Sequence, residues 1–175
     1  MDLLHRVPRA PEADIPGPAD AADIDRFILK TGFVVPNDLH EWLMTSNGPV
    51  VGPGGLFGIE RAGAADPDYT IESALERRPH YAAKGWIPVA GDGCGNFYVV
   101  DTTAVTPSGN PVYFVEAAEP LREAAYSVAS GIWQFLRFLL RKEVGHSYWP
   151  FDRERVLKDD PDLAAVATVP HAWEI

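Results

Sequence analysis

The sequence predicts a single α+β domain, and three observations carry that prediction. Apolar residues recur at helical spacing in several separated stretches, while three strand-like runs follow one another with short connections between them. The 175 residues also hold 15 glycines and 16 prolines, too many breaks for a coiled coil or an all-helical bundle. Apolar residues are 46% and charged residues 23% of the chain, ordinary values for a globular protein of one domain with tails.

Residues 1–19 contain Pro8, Pro11, Pro16 and Pro18 among alanines and acids and read as an extended lead-in. Asp20 can cap a helix that runs to Thr31, with Ile24, Phe27 and Ile28 on one face and Gly32 as its stop. Pro36 opens a second helix carrying Leu39, Trp42 and Leu43, which Asn47-Gly48-Pro49 ends. A glycine-rich turn from Gly52 to Gly55 leads into Leu56-Phe57-Gly58-Ile59, read as a strand, and 69–78 reads as a short helix. Three strands follow, at 86–90, 96–101 and 111–116, joined as antiparallel hairpins. Their two faces are both largely apolar, so the sheet is either covered on both sides or carries a binding face. Ser127 or Ser130 can cap the strongest helix, which ends near Lys142; its stripe of Ile132, Phe135, Leu136 and Leu139 is widened by Trp133, Phe138 and Leu140. That width puts Trp133 in the core. Trp149 and Trp173 fall in an irregular tail. The division is a lead-in at 1–19, a domain at 20–145, and a tail at 146–175 that packs on it.

The chain carries 25 acids and 15 bases, a formal net charge of −10. There is no basic stripe, which argues against nucleic acid as a partner. The acid excess fits solubility or attraction to a basic protein. The first residues have no charged-then-apolar leader pattern, and the most apolar stretch, 132–140, is too short to span a bilayer, so a cytoplasmic location with no membrane partner is expected.

Candidate chemistry is sparse. Cys94 stands alone in a glycine turn, which excludes an intrachain disulfide and gives no sign of a paired base. The five histidines have no metal-ligand spacing, and neither metal nor cofactor is expected. Gly91, Gly93 and Gly95 resemble a phosphate loop only in composition: a strand follows them, where such a loop needs a helix. Asp66, Asp68, Glu72 and Glu76 form an acidic group that reads as a solvated face or a contact patch for a basic partner.

The order of these elements carries a resemblance. A helix ending at Gly32, then Pro36-Asn37-Asp38-Leu39, Trp42-Leu43 and Asn47-Gly48, precede Trp86-Ile87-Pro88-Val89-Ala90 and Gly91-Asp92-Gly93-Cys94-Gly95-Asn96. After these come Pro111-Val112-Tyr113-Phe114 and the amphipathic helix 130–140. Over residues 20–142 the chain resembles the SUKH superfamily of yeast cell-wall assembly regulators and bacterial immunity proteins. That resemblance implies a twisted, mostly antiparallel sheet of about six strands with helices packed against it. It implies a non-enzymatic protein-binding function: an immunity protein of a polymorphic toxin system that neutralises a toxin, often a nuclease, by stoichiometric binding. The alternative it implies is a housekeeping regulatory module. Trp86, Pro88, Gly93, Gly95 and Asn96 match the family pattern and are read as shaping the fold: glycines for positive φ, and Asn96 for bonding the turn.

Overall fold

The structure, a computed structural model, describes residues 17–48, 52, 54–61, 70–116 and 126–175. Helix α1 (Ala21–Thr31) begins where Asp20 accepts a hydrogen bond from the Asp23 amide at 2.7 Å, and the Asp23 carboxylate receives the Asp20 amide in return. Gly32, with φ at 74°, closes it. Helix α2 (Asn37–Leu43) follows from Pro36. Helices α3 (Ile71–Arg77) and α4 (His80–Ala83) come next, α3 capped by the Thr70 side chain. The end of the lead-in is pinned, since the Ala19 amide donates to the Leu43 carbonyl and Ala19 is buried.

Strands β1 (Trp86–Gly91), β2 (Phe97–Asp101), β3 (Val112–Val115) and β4 (Tyr126–Ala129) form one antiparallel meander in the order β1-β2-β3-β4. Among the described residues the sheet therefore has four strands, not about six. Leu56–Ile59 makes only isolated bridges, Leu56 to Ala90 and Gly58 to Thr70. The reason is Asn47. Its side chain accepts from the Ile59 amide at 2.7 Å and donates to the Ile59 carbonyl at 2.9 Å, taking the groups that a further ladder would need. Both sheet faces are buried. Tyr98 and Phe114 pack beneath helix α5 (Ile132–Glu143) through Phe135, while Phe97 and Trp86 pack against Tyr81 of α4.

The start of α5 differs from the expected serine cap. Ser127 lies within β4, and Ser130 turns its hydroxyl to the Asp160 carboxylate at 2.5 Å. The N-cap is Gly131, where a Cβ would fall 2.3 Å from the Ser108 carbonyl oxygen. The free amide of Ile132 instead donates to Asp38 of α2 at 3.3 Å, a cap supplied from 94 residues away.

The tail packs on this body. Helix α6 (Arg153–Asp159) is capped by Asp152 and followed by a 3-10 turn at Pro161–Ala165. Arg141 and the Tyr148 hydroxyl both donate to the Asp159 carboxylate, at 2.6 and 2.5 Å, and Arg137 donates to the Asp159 carbonyl. These bonds hold the Asp159 carboxyl below its usual range, the Tyr148 hydroxyl contributing most. Trp149 is 2% exposed, donates its indole N–H to the Val128 carbonyl and stacks on Phe138. Trp133 is the opposite case: it stays 41% exposed, and its ring meets that of the buried Trp42 edge-on at 6.0 Å. The apolar stripe of α5 is wider than the surface it covers, and Trp133 lies at its open margin.

Trp149→Ala is accordingly expected to lower stability by about 3–5 kcal/mol, and Trp133→Ala by less than about 2 kcal/mol. Urea unfolding of the two variants checks the ranking, and equal losses would contradict the burial described.

Candidate functional site

The five residues of the family-like block lie at the β1–β2 end of the sheet. Trp86 is buried between Tyr81 and Tyr113, with the Lys84 ammonium 4.5 Å from its ring centroid. Pro88 opposes Val99 just before the bulge that separates it from Ala90 in the register. Gly93 and Gly95 take φ of 79° and 95°, which a side chain would strain. The backbone of the turn is held by Asp92, a residue without an assigned role in the sequence reading. One oxygen of Asp92 accepts the Cys94 and Asn96 amides, at 2.7 and 3.0 Å, while the other accepts the Asn96 side-chain amide at 2.7 Å. Asn96 thus braces the acid that organises the loop. Asp92→Ala is expected to cost about 1–3 kcal/mol through the lost acceptors, measured by thermal unfolding against Asp92→Asn, which retains one acceptor oxygen. Equal stability of both variants to wild type would show that the turn stands without Asp92.

The acidic group divides. Asp66 and Asp68 lie outside the described residues. Glu72 points inward: it is 3% exposed, and both its oxygens lie 3.1 Å from the Glu60 amide, which donates to them. Only Glu76 is displayed, with its side chain 70% exposed. What the sequence did not link to them is Lys30 of α1, whose ammonium lies 2.9 Å from Glu60 and 3.6 Å from Glu76. No periodicity relates residues 30, 60 and 72; they meet only in the folded chain, through the Lys30 ion pairs and the Glu60–Glu72 hydrogen bonds. The result is three carboxylates about one ammonium. Exposed pairs of this kind contribute little to stability, so the surplus of negative charge is their main effect.

Burial pushes the Glu72 carboxyl above its ordinary value, against the opposing Glu60 amide. Asp38 and Asp160 are raised for the same leading reason. A raised acid keeps its proton to higher pH in the folded state than in the unfolded chain. Its stabilising contribution is therefore full below the ordinary value and is lost as pH rises through the raised one. Glu72→Gln, fixed in the neutral form, should gain stability relative to the parent between about pH 4.5 and about pH 7. Urea midpoints at the two pH values test this, and a pH-independent difference would contradict it.

Two other reactive groups have local explanations. Cys94 is exposed at the tip of the turn. The Ser127 hydroxyl lies 2.7 Å from His171 Nδ1, but Ser127 is fully buried, and the pair fastens the C-terminal segment to β4. Among the described residues no group of three His, Cys, Asp or Glu side chains could hold a metal, and no helix is long and apolar enough to cross a membrane.

A helix pair, a glycine turn braced by Asp92, a four-strand meander and a closing amphipathic helix define an α+β module of a recognisable order. The family comparison gives that order a name. The chain belongs to the SMI1 / KNR4 family (SUKH-1), whose sequence profile matches residues 18–137, from just before α1 to the middle of α5. No curated protein matches the chain.

Proposed function

We propose that this chain is a cytoplasmic, non-enzymatic protein-binding domain that acts as an immunity protein, neutralising a toxin domain by direct stoichiometric binding. Membership of the SUKH-1 family over residues 18–137 is the observation that carries this reading. Members of that family are generally non-catalytic immunity and regulatory proteins. The net charge of −10 favours a basic partner and fast, salt-sensitive association. Of the acidic contact patch Asp66, Asp68, Glu72 and Glu76, we assign Glu76, Asp66 and Asp68 to that partner; Glu72 is buried, and the half-buried Glu60 adds a carboxylate beside Glu76. An interface of roughly 1,600 Å² supports nanomolar binding or tighter.

Co-expression with a candidate toxin domain, such as one captured by this chain from the native cell lysate, tests the reading. The expected result is survival of the host and an equimolar complex whose association slows as ionic strength rises. A toxin that still kills, while this chain forms a stable complex with a cellular housekeeping protein, would replace the immunity role with the regulatory one.

A further inference from the structure

Two of the most exposed aliphatic side chains of the described residues come from separate connections. Val34 (84% exposed) is in the α1–α2 connection and Val105 (80%) in the β2–β3 connection. Single exposed aliphatics are ordinary. Val34 and Val105, however, both line one cavity of about 460 Å³, with Gly85 and Thr102 also in its wall. A second cavity, of about 250 Å³, is walled by Leu75 and Pro79 and ends at Lys30, Glu72 and Glu76. The two cavities share Phe33 and Ala82, so they adjoin as one groove between the α1–α2 connection and the α3–α4 pair.

The groove has two chemically different ends. Its middle is apolar, with Phe33, Leu75 and Pro79, and its far end sets the two valines beside Thr102 and Asn110. Its other end carries the exposed carboxylate of Glu76 with Glu60 behind it, both shared by the Lys30 ammonium, while the Glu72 carboxylate is turned inward to the Glu60 amide. An apolar trough ending in surplus negative charge suits a side chain that is a hydrocarbon stem with a cationic head, as lysine and arginine are. It repels a polyphosphate or an anionic membrane surface. It also disfavours a second copy of this acidic chain.

We propose that this groove docks a segment of a basic protein partner. An arginine or lysine of that segment reaches Glu76 and its neighbours with its stem along Leu75 and Pro79, and an aliphatic side chain seats on Phe33 between Val34 and Val105. The proposal rests on the protein-binding role given above and names the surface and the partner chemistry.

The probe is a fluorescein-labelled peptide with two arginines at one end and three leucines at the other, followed by anisotropy with the full chain. Binding is expected with a Kd of about 10–100 μM. Val34→Asp with Val105→Asp is expected to weaken it about tenfold or more, at exposed positions where circular dichroism and melting verify the fold. That variant adds negative charge, so mere electrostatic attraction would strengthen binding, and a loss identifies the groove. Glu76→Lys should weaken the arginine peptide, and a peptide with glutamates for the arginines should not bind. No binding up to about 1 mM, or affinity unchanged in both variants, overturns the proposal. Sedimentation showing a dimer that the valine variant dissolves also overturns it, with a second copy as occupant. The same variants in the co-expression assay separate the two readings. Full protection by the double valine variant overturns the groove as the partner's seat and leaves the immunity role standing. Failure of the wild-type chain to protect, with groove-dependent peptide binding retained, overturns the immunity role alone.

Discussion

A four-strand antiparallel meander has two apolar faces and two open edges, and the rest of this chain is arranged by the need to cover all four. The faces are covered by α5 on one side and by Tyr81 and its neighbours on the other. The β1 edge is met by the segment before α3, where the Phe57 amide donates to the Val89 carbonyl and the Gly91 amide to the Gly55 carbonyl. The β4 edge is met by the C-terminal segment, through the Ser127 amide to the Pro170 carbonyl and the Ser127–His171 contact. Neither cover is a regular strand. Each makes a bridge and turns away, which satisfies the edge without presenting a new ladder to a neighbouring molecule. Partner recognition by adding a strand to the sheet would require one of these covers to leave.

The covers are joined to the sheet by side chains that act as substitutes for backbone. Asn47 supplies both hydrogen bonds to Ile59, Asp38 caps α5 from another helix, and Asp160 takes the Ser130 amide and hydroxyl. Buried peptide groups at chain reversals need partners, and a short polar side chain provides them where no second strand can fit. The acid members of this set carry a penalty for burial that their hydrogen bonds only partly offset, which is why Asp38, Glu72 and Asp160 all hold their protons more firmly than a solvated carboxyl. At these three positions the contribution to stability falls as pH rises, the reverse of a carboxylate held in a surface ion pair. Asp159 runs the other way, because its partners are a phenol and two guanidinium groups.

What could be read in the sequence follows from how local each signal is. Helix α1 was legible end to end because its cap, its apolar face and its stop lie within thirteen consecutive residues, Asp20 to Gly32. Strands β1 to β3 were legible because alternation and glycine turns are also local. Strand β4 was not: Tyr126-Ser127-Val128-Ala129 is four residues long, and its serine competes as a cap signal for the helix that follows. Leu56–Ile59 reads as a strand until the side chain of Asn47, nine residues and more before it, takes its hydrogen bonds. Trp133 and Trp149 exchanged roles because composition records that a helix stripe is wide and a tail irregular, but not which margin of the stripe meets water. The site was half legible. Glu72 and Glu76 share a helix and are legible together; Lys30, Glu60 and Phe33 join them only in the folded chain.

This division bears on how such a domain can vary its partner. The elements that are legible locally, α1, the glycine turn and the meander, lie within the 18–137 span matched by the family. They are also the parts whose geometry the sheet constrains. The proposed groove lies in the same span but is bordered by connections, at Val34 and Val105, and by exposed positions of α1 and α3, Lys30 and Glu76. Substitution there changes the shape and charge offered to a partner while touching few buried contacts, so its cost to folding is small. A core that demands coverage on every side leaves such border positions able to change without the fold having to change with them.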